Sequence, residues 1–195
     1  MFDMKNLREE TKKLLNKYDT KTLYTKRLVL KKGSSKDSMK VYEYDMLKCR
    51  GIAGEEVLEK IKKTIDFIGE DSKKYYEDIA KEKMFDWYIF LDEKTPIGNI
   101  TADREIKSLN SIELSFNMHP DYWRKGYMLE AVTKVIEFLF DRGYSNIIIG
   151  YNTGNKKSEE FAKKLGFKEY KKISNSYQKN GVNIDTYLII LSKNN

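Results

Sequence analysis

The most regular hydrophobic pattern of the chain lies between Leu129 and Arg142, where apolar residues recur every three or four positions, as in an amphipathic helix. Gly143 follows, and a glycine in a left-handed conformation commonly ends a helix. Upstream, the segment from Ile112 to Met118 alternates apolar and polar residues, as a half-buried strand does. The pattern therefore predicts a strand, a loop and a helix in succession. The apolar helix positions are Val132, Val135, Ile136, Leu139 and Phe140.

Short apolar runs bounded by turn residues predict further strands on both sides of this unit. A second helix is predicted from Lys156 to Leu165, with Gly166 at its end. Asn180-Gly181 predicts a tight hairpin between the last two strands. The strand centred on Leu114 is the fourth in this series. The other predicted strands span Thr22–Leu30, Asp86–Leu91, Ile97–Thr101, Asn146–Tyr151, Phe167–Ser176 and Val182–Leu191.

Two further segments have a helical pattern. The pattern of residues 3–18 predicts an amphipathic helix. The pattern of residues 37–81 is also mostly helical, with an apolar stripe from Val57 to Ile68. We find no repeat and no linker that divides the chain. We therefore expect a helical extension over residues 1–20 and a single α+β domain over residues 21–195.

The composition limits the classes of partner. With 37 Lys and Arg against 30 Asp and Glu, the net charge of +7 favours anionic ligands, but bases and acids are interleaved along the chain. No basic stripe indicates DNA binding, and an RNA-binding protein would fit the charge without fitting any motif. One Cys and one His leave no soft-metal cluster, so we expect no metal.

The sequence has no hydrophobic run that approaches the roughly 20 residues needed to cross a bilayer. The single Cys49 excludes an internal disulfide and suits a reducing compartment. We therefore expect a cytoplasmic protein without a membrane partner.

The loop before the predicted helix contains Arg124, Lys125 and Gly126. The first turn of a helix leaves backbone N–H groups without internal partners, and the helix dipole adds partial positive charge there. Two basic residues and a glycine at this end favour a phosphate or pyrophosphate site. The alternative is an ordinary connection whose Arg and Lys are solvated.

Several separated segments, in this order, resemble one known family. They are Thr25-Lys26-Arg27-Leu28, Trp87-Tyr88-Ile89, Ile97-Gly98, Glu113-Leu114-Ser115-Phe116, Tyr122-Trp123-Arg124-Lys125-Gly126-Tyr127 with Glu130-Ala131, Asn155-Lys156-Lys157-Ser158, Leu165-Gly166-Phe167 and Asn180-Gly181. The chain resembles the GCN5-related N-acetyltransferases (GNAT), and more narrowly their RimJ/RimL-type branch, from about Leu23 to Ser192.

The resemblance implies a mixed, mostly antiparallel sheet that is splayed between its fourth and fifth strands, with flanking helices. Acetyl-CoA would lie in the opening as co-substrate. Loop amides would bind its pyrophosphate, the fourth strand would contact the pantetheine arm and the thioester oxygen, and residues after the fifth strand would lie near the thiol. The implied cofactor-binding residues are Phe116, Asn117, Met118, Trp123, Arg124, Lys125, Gly126, Tyr127, Met128, Leu129, Asn152, Asn155 and Ser158.

The chain departs from the family pattern at three positions. Met128 replaces a small residue where the backbone must approach phosphate closely. Ala162 stands where many relatives have a Tyr that protonates the leaving thiolate. Ser176 stands where some RimJ/RimL-type enzymes have a Glu.

The reaction that the resemblance implies requires a neutral amine. At pH 7 roughly one-seventh of an α-amino group is neutral, but only about 0.04% of a lysine ε-amine. A general base is therefore needed most for an ε-amine or a polyamine substrate. The resemblance makes Glu113 this base, acting directly or through water; the alternative is a surface carboxylate or an ion-pair partner. Ser158 matches a possible thiolate donor but could equally bond the helix start, and Tyr151 is a second candidate.

We therefore expect an N-acetyltransferase that moves an acetyl group from acetyl-CoA to a primary amine by direct attack. The acceptor is either a protein N-terminal amine, such as that of a ribosomal protein, or a small-molecule amine. The alternative is a catalytically silent acyl-CoA-binding module, and a homodimer is left open. We expect the acceptor pocket in residues 39–76 and 174–182, a structural role for His119, and core positions for Trp87, Tyr88 and Phe116.

Overall fold

The computed structural model describes residues 20–32, 85–92, 94–179 and 181–194. The helices predicted within residues 3–18 and 37–81 lie outside this range. The described residues form two α-helices, and neither is long and apolar enough to cross a membrane. The elements are β1 (Leu23–Tyr24), β2 (Val29–Lys31), β3 (Phe85–Phe90), β4 (Pro96–Ile106), β5 (Ser111–Met118), α1 (Tyr127–Asp141), β6 (Asn146–Asn152), α2 (Lys156–Lys164), β7 (Lys168–Lys179) and β8 (Val182–Ser192).

The described strands form one mixed sheet in the order β1-β2-β3-β4-β5-β6-β8-β7. The β5–β6 pair is parallel, and every other neighbouring pair is antiparallel. Parallel neighbours need a long crossover, and α1 provides it here. The predicted α+β architecture with a mixed, mostly antiparallel sheet is therefore confirmed.

The single first strand predicted over Thr22–Leu30 was wrong. The chain turns back on itself inside this segment, and β1 and β2 pair antiparallel with each other. The Thr25 amide donates to the Leu28 carbonyl (3.0 Å), and the Leu28 amide donates to Thr25 Oγ1 (2.9 Å). Such side-chain bonds compete with a continuous strand. The expected fourth and fifth strands are consequently β5 and β6.

Aromatic side chains of β3 pack against α1. Phe85 and Trp87 are fully buried and stacked with ring centroids 5.5 Å apart. Phe138 of α1 meets both rings edge-on, at 5.7 Å and 5.5 Å. Edge-to-face contacts of this kind stabilise beyond the area that they bury. This cluster fixes α1 on one face of the sheet, and the core position predicted for Trp87 is confirmed.

The two faces of β5 have different chemistry, because successive side chains of a strand point to opposite faces. Ile112, Leu114 and Met118 belong to the main core on the α1 face. Glu113 and Ser115 alternate with them and lie on the opposite face. The strand therefore presents apolar residues to the helices and polar residues to the other side.

The other face also contains a buried carboxyl group, Asp86, which is 7% exposed. Burial raises its pKa to about 6, although a hydrogen bond from Thr101 and the charge of Lys32 oppose the shift. A raised pKa means that folding favours the protonated form. The contribution of Asp86 to the free energy of unfolding is fully present below its ordinary pKa of 3.8. It is lost as the pH rises through about 6.

We expect Asp86→Asn to be more stable than the wild type above about pH 7, because the amide cannot ionise and still accepts the bond from Thr101. The gain in unfolding free energy should approach about 3 kcal/mol at high pH and should vanish below about pH 4. Denaturant unfolding across this range measures it. Asp92→Asn is the control and should have the opposite effect, a loss of stability at neutral pH, because amides of Thr95 and Lys94 hold the pKa of Asp92 below its usual range. A constant difference between wild type and Asp86→Asn would contradict the assignment.

Candidate active site

The parallel strands β5 and β6 separate after a short paired section. They pair over four positions, from Ser111 with Asn146 to Leu114 with Ile149. Beyond this point, β5 stays paired with β4 as far as Met118, and β6 stays paired with β8 as far as Asn152. The two strands are thus held by their outer neighbours and not by each other. Buried backbone groups require partners, so the gap suits a ligand that has amide groups of its own.

A glycine of β4 holds the end of β5 on its outer side. A Cβ built at Gly98 would lie 2.4 Å from the Asn117 carbonyl oxygen, far inside contact distance. Only glycine permits this approach of the two backbones. The close β4–β5 pairing is maintained along the residues that border the gap.

The helix α1 begins at the loop that the sequence pattern singled out. Gly126 has φ +79° at the N-cap, and Arg124 also has a positive φ of 61°. No side chain caps α1 within the described residues, and the first described amide to bond inside the helix is that of Glu130. The three preceding amides, of Tyr127, Met128 and Leu129, donate to no acceptor in the described part of the chain. Such an end has the donors and the dipole for an anion.

Met128 does not obstruct this loop. Its side chain is partly buried and packs against the main core. The side chain of Met128, where the family resemblance implies a small residue, therefore points inward. Its backbone amide stays with the amides of Tyr127 and Leu129 at the helix start. Met128 is compatible with an anion at this place.

Trp123 joins the loop to both sides of the gap. Its indole Nε1 donates to the Met118 carbonyl (2.7 Å), at the end of β5. The Lys157 ammonium, in the first turn of α2, lies 4.9 Å from the centroid of the Trp123 ring. The starts of α1 and α2 are therefore side by side, and Lys157 adds positive charge beside the loop that contains Arg124 and Lys125.

Asn155, and not Ser158, caps the start of α2. The Asn155 side chain accepts a hydrogen bond from the Ser158 amide (3.2 Å). Asn155 therefore occupies the capping position of α2, and the role of the Ser158 hydroxyl as a thiolate donor stays a prediction. Ser158 as a whole is half-buried in the first turn of α2.

Glu113 lies at the point where the strands part. A Cβ built at Gly150 of β6 would be 3.5 Å from Glu113 Oε1, so the carboxyl group extends along β6 toward the gap. Arg104 Nη2 donates to the same oxygen (2.8 Å). Burial raises the pKa of Glu113, the guanidinium of Arg104 opposes this, and Asp103 adds to it. The sequence pattern missed both Gly150 and Arg104.

Tyr151 lies on the opposite face from Glu113. Its ring stacks on Tyr187 of β8, with centroids 5.5 Å apart and planes at 17°. Burial and the charges of Glu159 and Glu169 raise the pKa of its phenol. The hydroxyl is therefore a neutral donor over the physiological range.

A chain of side-chain hydrogen bonds reaches the end of β6 from the outer strands. Thr186 Oγ1 donates to Asn152 Oδ1 (3.0 Å), and Ser176 Oγ lies 2.7 Å from Thr186 Oγ1. Ser176 therefore takes part in positioning Asn152 beside the gap, although no carboxylate occupies its place. Thr186 gave no signal in the sequence, because the three residues come from three different strands.

Two aromatic residues line the helix side of the gap. Phe116 of β5 lies 5.0 Å from Phe161 of α2, between ring centroids. Ala162, where the family resemblance implies a tyrosine in many members, is fully buried in the core. No hydroxyl comes from this turn of α2, and the partly buried Phe116 contributes to the core as predicted.

His119 has a structural role. Its Nδ1 accepts a hydrogen bond from the Asp121 amide (3.1 Å), which caps a short 3-10 helix at Pro120–Tyr122. Its ring also meets that of Tyr122 edge-on at 5.6 Å. Within the described residues, no three His, Cys, Asp or Glu side chains are grouped to hold a metal ion.

Comparison with known proteins identifies the class. A family model described as an acetyltransferase (GNAT) domain matches residues 27–168. The chain belongs to the GNAT acetyltransferase family.

Two relatives bear N-acetyltransferase names. An uncharacterised N-acetyltransferase of Schizosaccharomyces pombe is 36% identical over 73 residues, which are 37% of this chain and 39% of that protein. That match thus spans less than half of the yeast protein. The uncharacterised N-acetyltransferase YoaA of Bacillus subtilis is 25% identical over 174 residues, or 88% of this chain and 96% of that protein.

Solved structures of acetyltransferases share the fold. A chimera of the spermidine N-acetyltransferase SpeG from Vibrio cholerae has a TM-score of 0.69 at 15% identity, covering 86% of this chain and 96% of that one. The microcin self-immunity acetyltransferase MccE, solved with acetyl-CoA and AMP, has a TM-score of 0.64 at 17% identity, covering 86% and 93%. A ribosomal-protein-S5-alanine acetyltransferase from Vibrio fischeri has a TM-score of 0.65 at 15% identity, and the match covers 90% of this chain and 98% of that one. At these identities the likeness concerns the fold alone.

We expect Arg104→Gln to raise the pKa of Glu113 further, because the guanidinium is the group that opposes the effect of burial. NMR titration of the Glu113 side-chain carboxyl carbon measures this pKa directly. Asp103→Asn is the matched control and should lower it, since Asp103 acts in the opposite direction. Two variants that shift the pKa in the same direction would contradict the described charge arrangement.

Proposed function

We propose that this protein transfers the acetyl group of acetyl-CoA to a primary amine by direct attack, without an acyl-enzyme. The observation that supports this most is the parting of β5 and β6 beside the uncapped start of α1. Acetyl-CoA would supply an activated thioester, and the chain would hold and orient it. The structural neighbour MccE was solved with acetyl-CoA.

The gap and the loop fit the two halves of that molecule. The amides of Tyr127, Met128 and Leu129, with Arg124 and Lys125, would bind the pyrophosphate. The residues Phe116, Asn117 and Met118 would contact the pantetheine arm, and a main-chain N–H of this segment would donate to the thioester oxygen as negative charge develops there. Asn152 and Asn155 would border the thiol end, and Trp123 would hold the loop to β5.

Glu113 is the proposed general base. It lies on the sheet face opposite the helices, and its carboxyl group points toward the gap. The raised pKa makes this carboxylate a better proton acceptor near neutral pH than an exposed one. The amine would therefore approach from the Glu113 face, directly or through one water, and would lose its proton there.

The leaving thiolate would be protonated from the helix face. Ser158 is the first candidate, because its hydroxyl is not used to cap α2. Tyr151 is the second, because its phenol keeps its proton and lies at the end of β6. The acid and the base would then act on opposite faces of the sheet, so the incoming amine and the departing thiol do not compete for space.

The acceptor is proposed as a protein N-terminal amine or a small-molecule amine. The RimJ/RimL-type resemblance and the ribosomal-protein acetyltransferase neighbour support the first. The spermidine N-acetyltransferase neighbour SpeG supports the second. The need for Glu113 should be greater for an ε-amine or a polyamine, whose neutral fraction is far smaller at pH 7.

A thiol-release assay tests the proposal. Peptides with free N-termini, spermidine and aminoglycosides should be offered side by side with acetyl-CoA, and thiol should appear with at least one of them. Calorimetric titration with CoA should be run in parallel. Cofactor binding without thiol release from any amine would favour a silent acyl-CoA-binding module, and absence of both would contradict the proposal.

We expect Glu113→Gln to lower kcat/KM by about a hundredfold and to remove the acidic limb of its pH profile, because the amide cannot accept the proton of the amine. The affinity for CoA should not change. Asp141→Asn, which alters an exposed carboxylate at the C-terminal end of α1, is the matched control and should behave as the wild type. An unaltered pH profile in Glu113→Gln would exclude this residue as the base.

A further inference from the structure

A cluster of four residues links the β1–β2 turn to the start of α1. We call it the Arg27–Glu130 cluster; it consists of Thr25, Arg27, Lys125 and Glu130. Glu130 Oε1 accepts from Thr25 Oγ1 (2.6 Å) and from the Arg27 amide (2.9 Å), and Oε2 accepts from Arg27 Nε (2.7 Å). Arg27 Nη1 also donates to the Lys125 carbonyl (3.1 Å). One guanidinium thus bonds the carboxylate and the loop backbone at the same time.

The bond to the Lys125 carbonyl sets the direction of the next amide. In a trans peptide the C=O and N–H groups point in opposite directions. Because the Lys125 carbonyl points to Arg27, the Gly126 N–H points away from Arg27. The Gly126 amide immediately precedes those of Tyr127, Met128 and Leu129. Arg27 therefore fixes the orientation of the Lys125–Gly126 peptide, which comes directly before these three amides.

The same guanidinium neutralises a carboxylate that would otherwise oppose an anionic ligand. Glu130 lies in the first turn of α1, and its side chain is only 20% exposed. Burial disfavours its ionisation, but the hydrogen bonds from Thr25 and Arg27 outweigh this and hold the pKa of Glu130 below its usual range. A negative charge in the first turn of α1 would repel a pyrophosphate bound at this helix start, and the guanidinium of Arg27 offsets that charge.

The geometry requires an arginine. Two nitrogens of the planar group make the two bonds, and the guanidinium carbon lies 4.4 Å from the centroid of the Tyr127 ring. A third nitrogen, Nη2, is 3.4 Å from the place where a Cβ at Gly126 would lie. Lysine has a single charged nitrogen and cannot make this fork. This is an ordinary contact distance, so the guanidinium lies directly against the Gly126 position.

We propose that Arg27 is a positioning residue for the loop before α1. Through the Lys125 carbonyl it orients the loop amides, and through Glu130 it neutralises the carboxylate beside the proposed pyrophosphate site. It does not touch the reacting atoms. This inference rests on the proposed function, because it assumes that the loop binds a diphosphate. The alternative is a purely structural link between the β1–β2 turn and α1.

The two interpretations differ in how Arg27 and Glu130 compare. If the cluster only connects two elements, removal of either partner should have the same effect. If it positions the loop and balances charge, Arg27→Gln leaves an uncompensated carboxylate beside the pyrophosphate, whereas Glu130→Gln leaves an uncompensated guanidinium there. A glutamine at position 130 still has an oxygen that accepts hydrogen bonds from Thr25 and Arg27.

Calorimetric titration with CoA, together with the KM for acetyl-CoA and the unfolding midpoint, tests the inference. We expect Arg27→Gln to weaken CoA binding by about tenfold or more, the size expected for hydrogen bonds to a charged group. Arg27→Lys should fall between Arg27→Gln and the wild type. Glu130→Gln should bind CoA at least as tightly as the wild type, and the double variant should regain most of the affinity that Arg27→Gln loses.

Lys134→Gln is the matched control. It removes a different ion pair of α1, to Glu137 one turn further along, and should leave CoA affinity unchanged. A folded Arg27→Gln with wild-type affinity, or an equal loss in Arg27→Gln and Glu130→Gln, would overturn the positioning role while leaving the proposed function intact. A wild-type protein that does not bind CoA would overturn both.

Discussion

The structure depends on one interruption in an otherwise continuous sheet. β5 and β6 are paired from Ser111 to Leu114 and then separate, while each keeps its antiparallel neighbour on the other side. A parallel pair that ends in this way exposes backbone donors and acceptors along two facing edges. Because such groups are costly to leave without partners, the gap is suited to a chain-like ligand with amide groups.

Contacts on both sides of the gap hold β5 and β6 in their separated positions. Gly98 brings β4 against the outer edge of β5, and Trp123 ties the loop to the last carbonyl of that strand. On the other side, the hydrogen bonds from Ser176 through Thr186 hold Asn152 at the end of β6. The alternation of side chains then places Glu113 on one face of the sheet and Tyr151 on the other. The gap is therefore a passage between two chemically different faces.

The sequence predicted most of the elements because their signals are local. Helical spacing located α1, and Gly143 and Gly166, both with positive φ, follow the two helices as expected. The family resemblance implied the splay between β5 and β6. The first strand was predicted wrongly because its turn is set by the Thr25 hydroxyl, which a hydrophobic pattern does not register.

The contacts that shape the candidate site could not be read from local patterns. Arg27 and Glu130 are 103 positions apart in the chain, and their meeting depends on the packing of the β1–β2 turn against α1. Arg104 reaches Glu113 from an irregular part of β4, where its own φ is 47°. From the sequence, Met128 was expected to crowd a phosphate bound at the loop. The packing shows instead that its side chain points into the core.

The central claim is that the start of α1 holds a diphosphate and thereby directs a thioester into the passage between β5 and β6. A crystal structure of the protein grown with CoA tests it most directly. The account predicts pyrophosphate oxygens within hydrogen-bond distance of the Tyr127, Met128 and Leu129 amides, with the pantetheine arm between β5 and β6. A pantetheine arm outside that passage, or a pyrophosphate bound at another place, would contradict it.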